Sequence, residues 1–169
     1  MPNDNETKPT AGAAGRALSA IIIFAIVFGA AGIGAALGGA MTGPWYQELN
    51  KPAFSPPPWV FGPVWTVLYA TMALAAWLIW IRRPAASVAL PLTLFGVQLF
   101  LNMIWSGLFF RLHLIGAAAA GIVVIWLATA ATIAAFLRVS RPAGVILLPY
   151  LVWLTFAGVL NFSIWRLNA

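Results

Sequence analysis

Apolar residues fill this chain in long uncharged runs separated by short polar interruptions. The charged residues leave five charge-free stretches, 17–47, 52–81, 84–110, 112–137 and 142–165. Each can hold a helix of about 20 residues, the length that crosses roughly 30 Å of hydrocarbon. The pattern predicts spans at about 18–41, 60–81, 88–110, 114–137 and 143–165. The fold class is therefore an all-α integral membrane protein, a bundle of five transmembrane helices. Residues 1–16, MPNDNETKPTAGAAGR, are small and polar without apolar periodicity, and are predicted to form a disordered tail ahead of a single domain over 17–169.

The last three connections are short, which predicts antiparallel neighbours for consecutive helices. The first, about 42–59, is long and rich in Trp and Pro, with Pro44, Pro52, Pro56, Pro57 and Pro58 locking φ. A linker that only crossed water would be polar and flexible. This one reads as an aromatic lid over a membrane-embedded pocket. Within the spans, Pro91 falls in a first turn, where it is tolerated. Pro149 removes a hydrogen bond and should bend the fifth helix near its start. Ala30, Gly34 and Gly38 recur every four residues on one face of the first span. Such small-residue faces serve tight packing within a bundle or a dimer contact, and packing within the bundle is the favoured reading.

Composition and charge narrow the setting. The chain is 63% hydrophobic and 7% charged, with a net charge of +6. Its basic residues sit singly or in pairs at the ends of the apolar runs, a placement of membrane anchors that does not form a nucleic-acid surface. Lys8, Arg16, Arg82, Arg83, Arg138 and Arg141 fall on one side, and Lys51, Arg111 and Arg166 on the other. The positive-inside rule then places the N-terminus inside and the Trp-rich loop outside. There is no cysteine, so disulfides and thiolate metal sites are excluded. No Asp, Glu or Lys lies in a predicted span, which argues against proton relays and Schiff-base chemistry. The one histidine, His113, sits at the third connection and cannot supply paired haem ligands. No metal site and no bound cofactor are expected.

Candidate chemistry lies on three helix faces. Gln98, Asn102 and Ser106 share one face of the third span, with Trp105 and Phe109 beside it. Amides in lipid must be hydrogen-bonded, so this face should point inward, either lining a site or tying helices together. Trp65 and Tyr69 lie one turn apart in the second span. In the fifth, Tyr150, Trp153, Ala157 and Leu160 or Asn161 share a face. If these faces meet, they enclose an apolar, aromatic cavity with few polar anchors, the usual makeup of a small-molecule site.

Three motifs carry a family resemblance: WYQELNKPAFSPPPWVFGPVWTVLY at 45–69, the Gln98/Asn102/Trp105 spacing, and PYLVWLTFAGVLNFSIWRLN at 149–168. They resemble the translocator protein family (TspO/MBR), also called tryptophan-rich sensory proteins or peripheral benzodiazepine receptors. The resemblance implies a five-helix membrane receptor or transporter that dimerises and binds porphyrins and other tetrapyrroles, and in some members sterols. It implies a pocket of Tyr46, Trp65, Tyr69, Gln98, Asn102, Trp105, Trp153 and Ala157. Trp65 and Trp153 match the tryptophans implicated in light-dependent porphyrin degradation, so an enzymatic reading stands beside the binding one, as does a membrane scaffold or regulatory sensor. The family's sterol-recognition stretch corresponds to Leu160, Phe162 and Arg166, but Phe162 replaces its tyrosine, which weakens a sterol claim. The Ala- and Gly-rich composition points to a bacterial member in a membrane of the cell envelope. The expected partners are a tetrapyrrole ligand, membrane lipid and a second copy of the chain, with no nucleic acid.

Overall fold

The computed structural model describes residues 12–39, 43–83 and 85–169. Five helices in it are long and apolar enough to span a membrane. Helix α1 (Ala13–Gly38) is apolar on all sides and ends at Gly39, whose φ of 68° lies in the left-handed region that glycine adopts without a Cβ clash. It starts at Ala13, so residues 13–16 of the expected tail are helical, as suits a proline-free stretch with two alanines and an arginine. Residues 1–11 lie outside the described residues. The long loop contains a one-turn helix, α2 (Pro44–Glu48), begun by Pro44 in its first turn. A further turn at Pro58–Val60 leads into α3 (Phe61–Trp80).

Helix α4 (Ala89–Ser106) carries Pro91 in its first turn, as predicted. It continues into a π-helical turn (Gly107–Arg111), in which the Leu112 amide reaches back five residues to the Gly107 carbonyl at 3.0 Å. Helix α5 (Ile115–Val139) follows. The fifth span is broken into α6 (Arg141–Ile146) and α7 (Leu148–Asn168). The break falls where Pro149 has no N–H to offer the Val145 carbonyl, the bend its position predicted.

Around the bundle, α1 packs on α3 and α4, α4 on α5, α5 on α7, and α6 and α7 on α3. Sequence neighbours α3 and α4 therefore meet only through a few inward side chains, because α1 lies alongside both. This corrects the expectation that a short connection makes every consecutive pair close neighbours: the segment 81–88 is long enough to step past an intervening helix. The small face of α1 makes that position accessible. A Cβ on Gly34 would lie 3.4 Å from the Met103 Cα, and one on Gly38 would lie 3.3 Å from the Ser106 Cβ. The glycine face is used inside the bundle.

One core cluster joins Leu68, Met72 and Ile79 of α3 to Phe95, Phe136 and Tyr150. A second gathers Tyr46, Phe109, Ala118, Leu160 and Ile164 at the end where the long loop lies. There the Trp45 ring stacks on His113, with centroids 3.9 Å apart. Asn50 and Asn168 exchange hydrogen bonds of 3.0 and 2.9 Å. The long loop, the third connection and the last turn of α7 thus converge at one end. At the other end the Trp77 indole N–H donates to the Arg16 carbonyl at 3.2 Å. Ile21, Val67, Phe100, Val123 and Val152 point outward, where lipid makes an apolar surface the favourable one.

Candidate ligand cavity

A buried hydrogen-bonded chain fixes three of the helices. The Tyr69 hydroxyl of α3 donates to Asn102 Oδ1 at 2.8 Å, and Asn102 Nδ2 donates to the Tyr150 hydroxyl of α7 at 2.9 Å. Asn102 is 5% exposed, so both bonds are shielded from water and from each other's competitors. Gln98, one turn earlier on the same face, behaves differently. Its Nε2 makes only a 3.9 Å contact to the Met72 sulfur, and its Oε1 has no partner. Gln98 lies in the core and lines neither of the cavities described below.

Aromatic rings surround Asn102. Trp65 packs on Tyr69 at 5.6 Å, on Tyr150 at 6.2 Å and edge-on against Trp153 at 6.4 Å. Phe61 meets Trp153 at 6.0 Å. Across from them Trp105 stacks on Phe109 at 5.3 Å and donates its indole N–H to the Ala118 carbonyl at 2.9 Å. These offset and edge-on geometries suit the ring quadrupoles and orient each ring without a covalent tie.

Two cavities lie side by side. The central one, between α3, α4, α5 and α7, is lined by Tyr46, Trp65, Asn102, Trp105, Trp153 and Ala157, six of the eight residues expected. Its free volume is only about 50 Å³. Tyr69 faces the second, of about 240 Å³, between α1, α3 and α4. Phe61, Trp65, Asn102, Trp105 and Phe110 border both, so a partition of rings separates them. Phe28, Ala35, Gly62 and Thr66 on the second are exposed, and it opens sideways between α1 and α3.

The loop closes one end. Tyr46 is 6% exposed and packs on Phe109 and Phe110. Lys51 Nζ donates to the carbonyls of Tyr46, Gln47 and Leu49 at 2.7, 3.0 and 2.9 Å, and lies 5.0 Å from the Tyr46 ring centroid. The ammonium thereby caps the end of α2, where carbonyls lack helical partners. Burial pushes the Tyr46 phenol above its ordinary pKa, an effect partly opposed by a hydrogen bond with Ser55.

Several lining residues are absent from the sequence-based set. Phe109 stood beside the inward face by spacing, but Phe110 joins it in the lining at the π turn, which no periodicity signals. Ile122 and Ile125 enter from α5, on a face whose buried polar neighbour, Thr129, did not single them out. Asn161 was legible only as one of two candidates on the α7 face. It lines the central cavity, 2% exposed, with neither amide atom partnered. The sterol-motif residues diverge: Leu160 lines the cavity, whereas Phe162 is 49% exposed and Arg166 faces outward.

Comparison with known proteins bears on this arrangement. Residues 21–166 match the model of the TspO/MBR family. Protein CrtK of Rhodobacter capsulatus is 36% identical over 150 residues, which is 88% of this chain and 94% of that protein. The tryptophan-rich protein TspO of Chlorobaculum tepidum is 42% identical over 125 residues, 73% of this chain and 79% of its own. The translocator protein of Bos taurus is 40% identical over 126 residues, 73% and 75% of the two chains.

Proposed function

The chain belongs to the TspO/MBR family of multi-pass membrane proteins, and from that premise we propose that it is a receptor or transporter for porphyrins and related flat, hydrophobic ligands. The observation that carries the reading is the Tyr69–Asn102–Tyr150 chain set among Trp65, Trp105 and Trp153. A flat π-system stacks on indoles, and the one unused N–H of the Asn102 amide can donate to it. The two cavities together approach about 300 Å³, the lower bound for small-molecule sites. A tetrapyrrole needs more, so binding on this reading swings the ring partition aside and merges the two. The receptor acts as a dimer with a second copy of the chain. Titrating protoporphyrin IX into the detergent-solubilised protein should quench tryptophan emission at micromolar ligand. Unquenched emission would sink the proposal.

Two further readings have their own support. Trp65 and Trp153 meet edge to face at 6.4 Å beside the cavity, so two oxidisable indoles stand where a photoexcited porphyrin would sit. If the protein degrades its ligand in light, a Trp65→Phe, Trp153→Phe double variant should bleach the Soret band more slowly than wild type. Equal bleaching removes the enzymatic reading. The small central volume favours the opposite view, a scaffold packed by its own side chains. That view predicts no quenching in the porphyrin titration.

A further inference from the structure

The central cavity contains a polar group that the bundle does not use. Asn161 is 2% exposed, lines the cavity, and has both Nδ2 and Oδ1 without a hydrogen-bond partner. Buried polar groups within a membrane bundle are normally paired inside the protein, and this pair is not. Asn102, by contrast, satisfies both ends of its amide within the protein. Asn161 stands beside Leu160 and one turn from Ile164, both of which pack in the cluster that includes Tyr46. It lines the same cavity as Tyr46 of the lid.

We propose that Asn161 is a specificity-determining residue that receives a cis-amide or lactam edge of the ligand, holding it under the lid with the aromatic body directed toward Trp153 and Asn102. This deepens the cavity reading above and rests on it. A primary amide offers one donor and one acceptor side by side, and a cis-amide returns the complementary pair. A carboxylate supplies two acceptors and leaves Oδ1 unmet. A neutral carboxylic acid supplies the right pair, but at neutral pH it must first take up a proton, at a cost in free energy that a lactam does not bear. Trp153 adds a second unpartnered N–H eight residues earlier on α7, about 12 Å along the axis at 1.5 Å per residue. That separation suits a rigid body with polar groups at opposite edges.

The test compares phenanthridin-6(5H)-one, a flat lactam, with phenanthrene, its hydrocarbon counterpart, and with the N-methylated lactam, which lacks the donor. Binding to the full chain in nanodiscs is read as tryptophan quenching, corrected for partition into empty nanodiscs. The lactam should bind about tenfold more tightly than either comparator, as expected for two modest hydrogen bonds. In Asn161→Leu that ratio should fall to about one, and the variant should melt no lower than wild type, since it loses no protein partner. Equal binding of the three tricycles to wild type overturns the inference without need of any variant. So does a lactam preference that survives in Asn161→Leu. If protoporphyrin IX still quenches in either case, the cavity reading stands and only the role of Asn161 falls. If neither the tricycles nor protoporphyrin IX quench, both fall together.

Discussion

Asn102 and Gln98 are amides one turn apart on the same face of α4, and the structure predicts opposite results for the same substitution in each. Asn102→Leu removes bonds of 2.8 and 2.9 Å and takes the shared Asn102 partner from the hydroxyls of Tyr69 and Tyr150, which are 9% and 0% exposed. Interhelical hydrogen bonds in membranes contribute about 0.6 kcal/mol on average and up to about 1.7. Two of them, with buried partners, give an expected loss of roughly 1–3 kcal/mol. Gln98→Leu gives up only a 3.9 Å contact to sulfur and removes an oxygen that has no partner. Its effect should lie between no change and a gain of about 1 kcal/mol. A gap of about 2 kcal/mol is a roughly 30-fold difference in unfolding equilibrium. Reversible unfolding in mixed SDS micelles, followed by far-UV circular dichroism, resolves it. A double-mutant cycle of Tyr69→Phe with Asn102→Leu should show coupling of at least about 0.5 kcal/mol. The reasoning is refuted if the two leucine variants lose equal stability, or if the cycle is additive.

Other outcomes follow from the packing and the loop. A Cβ on Gly144 would lie 2.5 Å from Leu137 Cγ and 3.0 Å from its backbone nitrogen, so Gly144→Ala should destabilise by about 1–3 kcal/mol. Gly32→Ala meets nothing within 4 Å and should hold or gain stability in the same unfolding assay. Lys51→Met leaves three carbonyls without their ammonium, and limited proteolysis should cut the loop faster than in wild type. For Tyr46 the folded-state pKa is raised, so its contribution to stability is complete below the unfolded value near 10 and is lost as pH rises through the folded one. Wild type should therefore lose more stability than Tyr46→Phe on alkaline titration from pH 9 upward, and parallel curves would contradict that assignment.

The bundle was legible in the sequence because lipid imposes a strict length and an almost complete exclusion of charge. Five spans, the break before Pro149 and the use of Gly34 and Gly38 follow from local rules of that kind. Periodicity names a face of a helix but not what it meets, and there the sequence stops. It groups Gln98 with Asn102, although only Asn102 reaches across to two tyrosines. It cannot show that α1 lies against both α3 and α4, since that depends on which small faces find each other. Nor can it reveal the π turn at which Phe110 joins Phe109 in the cavity lining. Asn161 was visible as an amide on α7, but its lack of a partner is a property of the assembled bundle.

The sideways opening between α1 and α3 bears on how affinity is to be expressed. A chamber that faces acyl chains equilibrates with solute dissolved in the bilayer, so the governing concentration is a mole fraction in lipid. An apolar ligand enriched a thousandfold in the membrane would show an aqueous dissociation constant a thousandfold lower than its intrinsic one, at no gain in contact energy. Apparent affinities should then shift with lipid-to-protein ratio and acyl composition while the bound geometry stays the same.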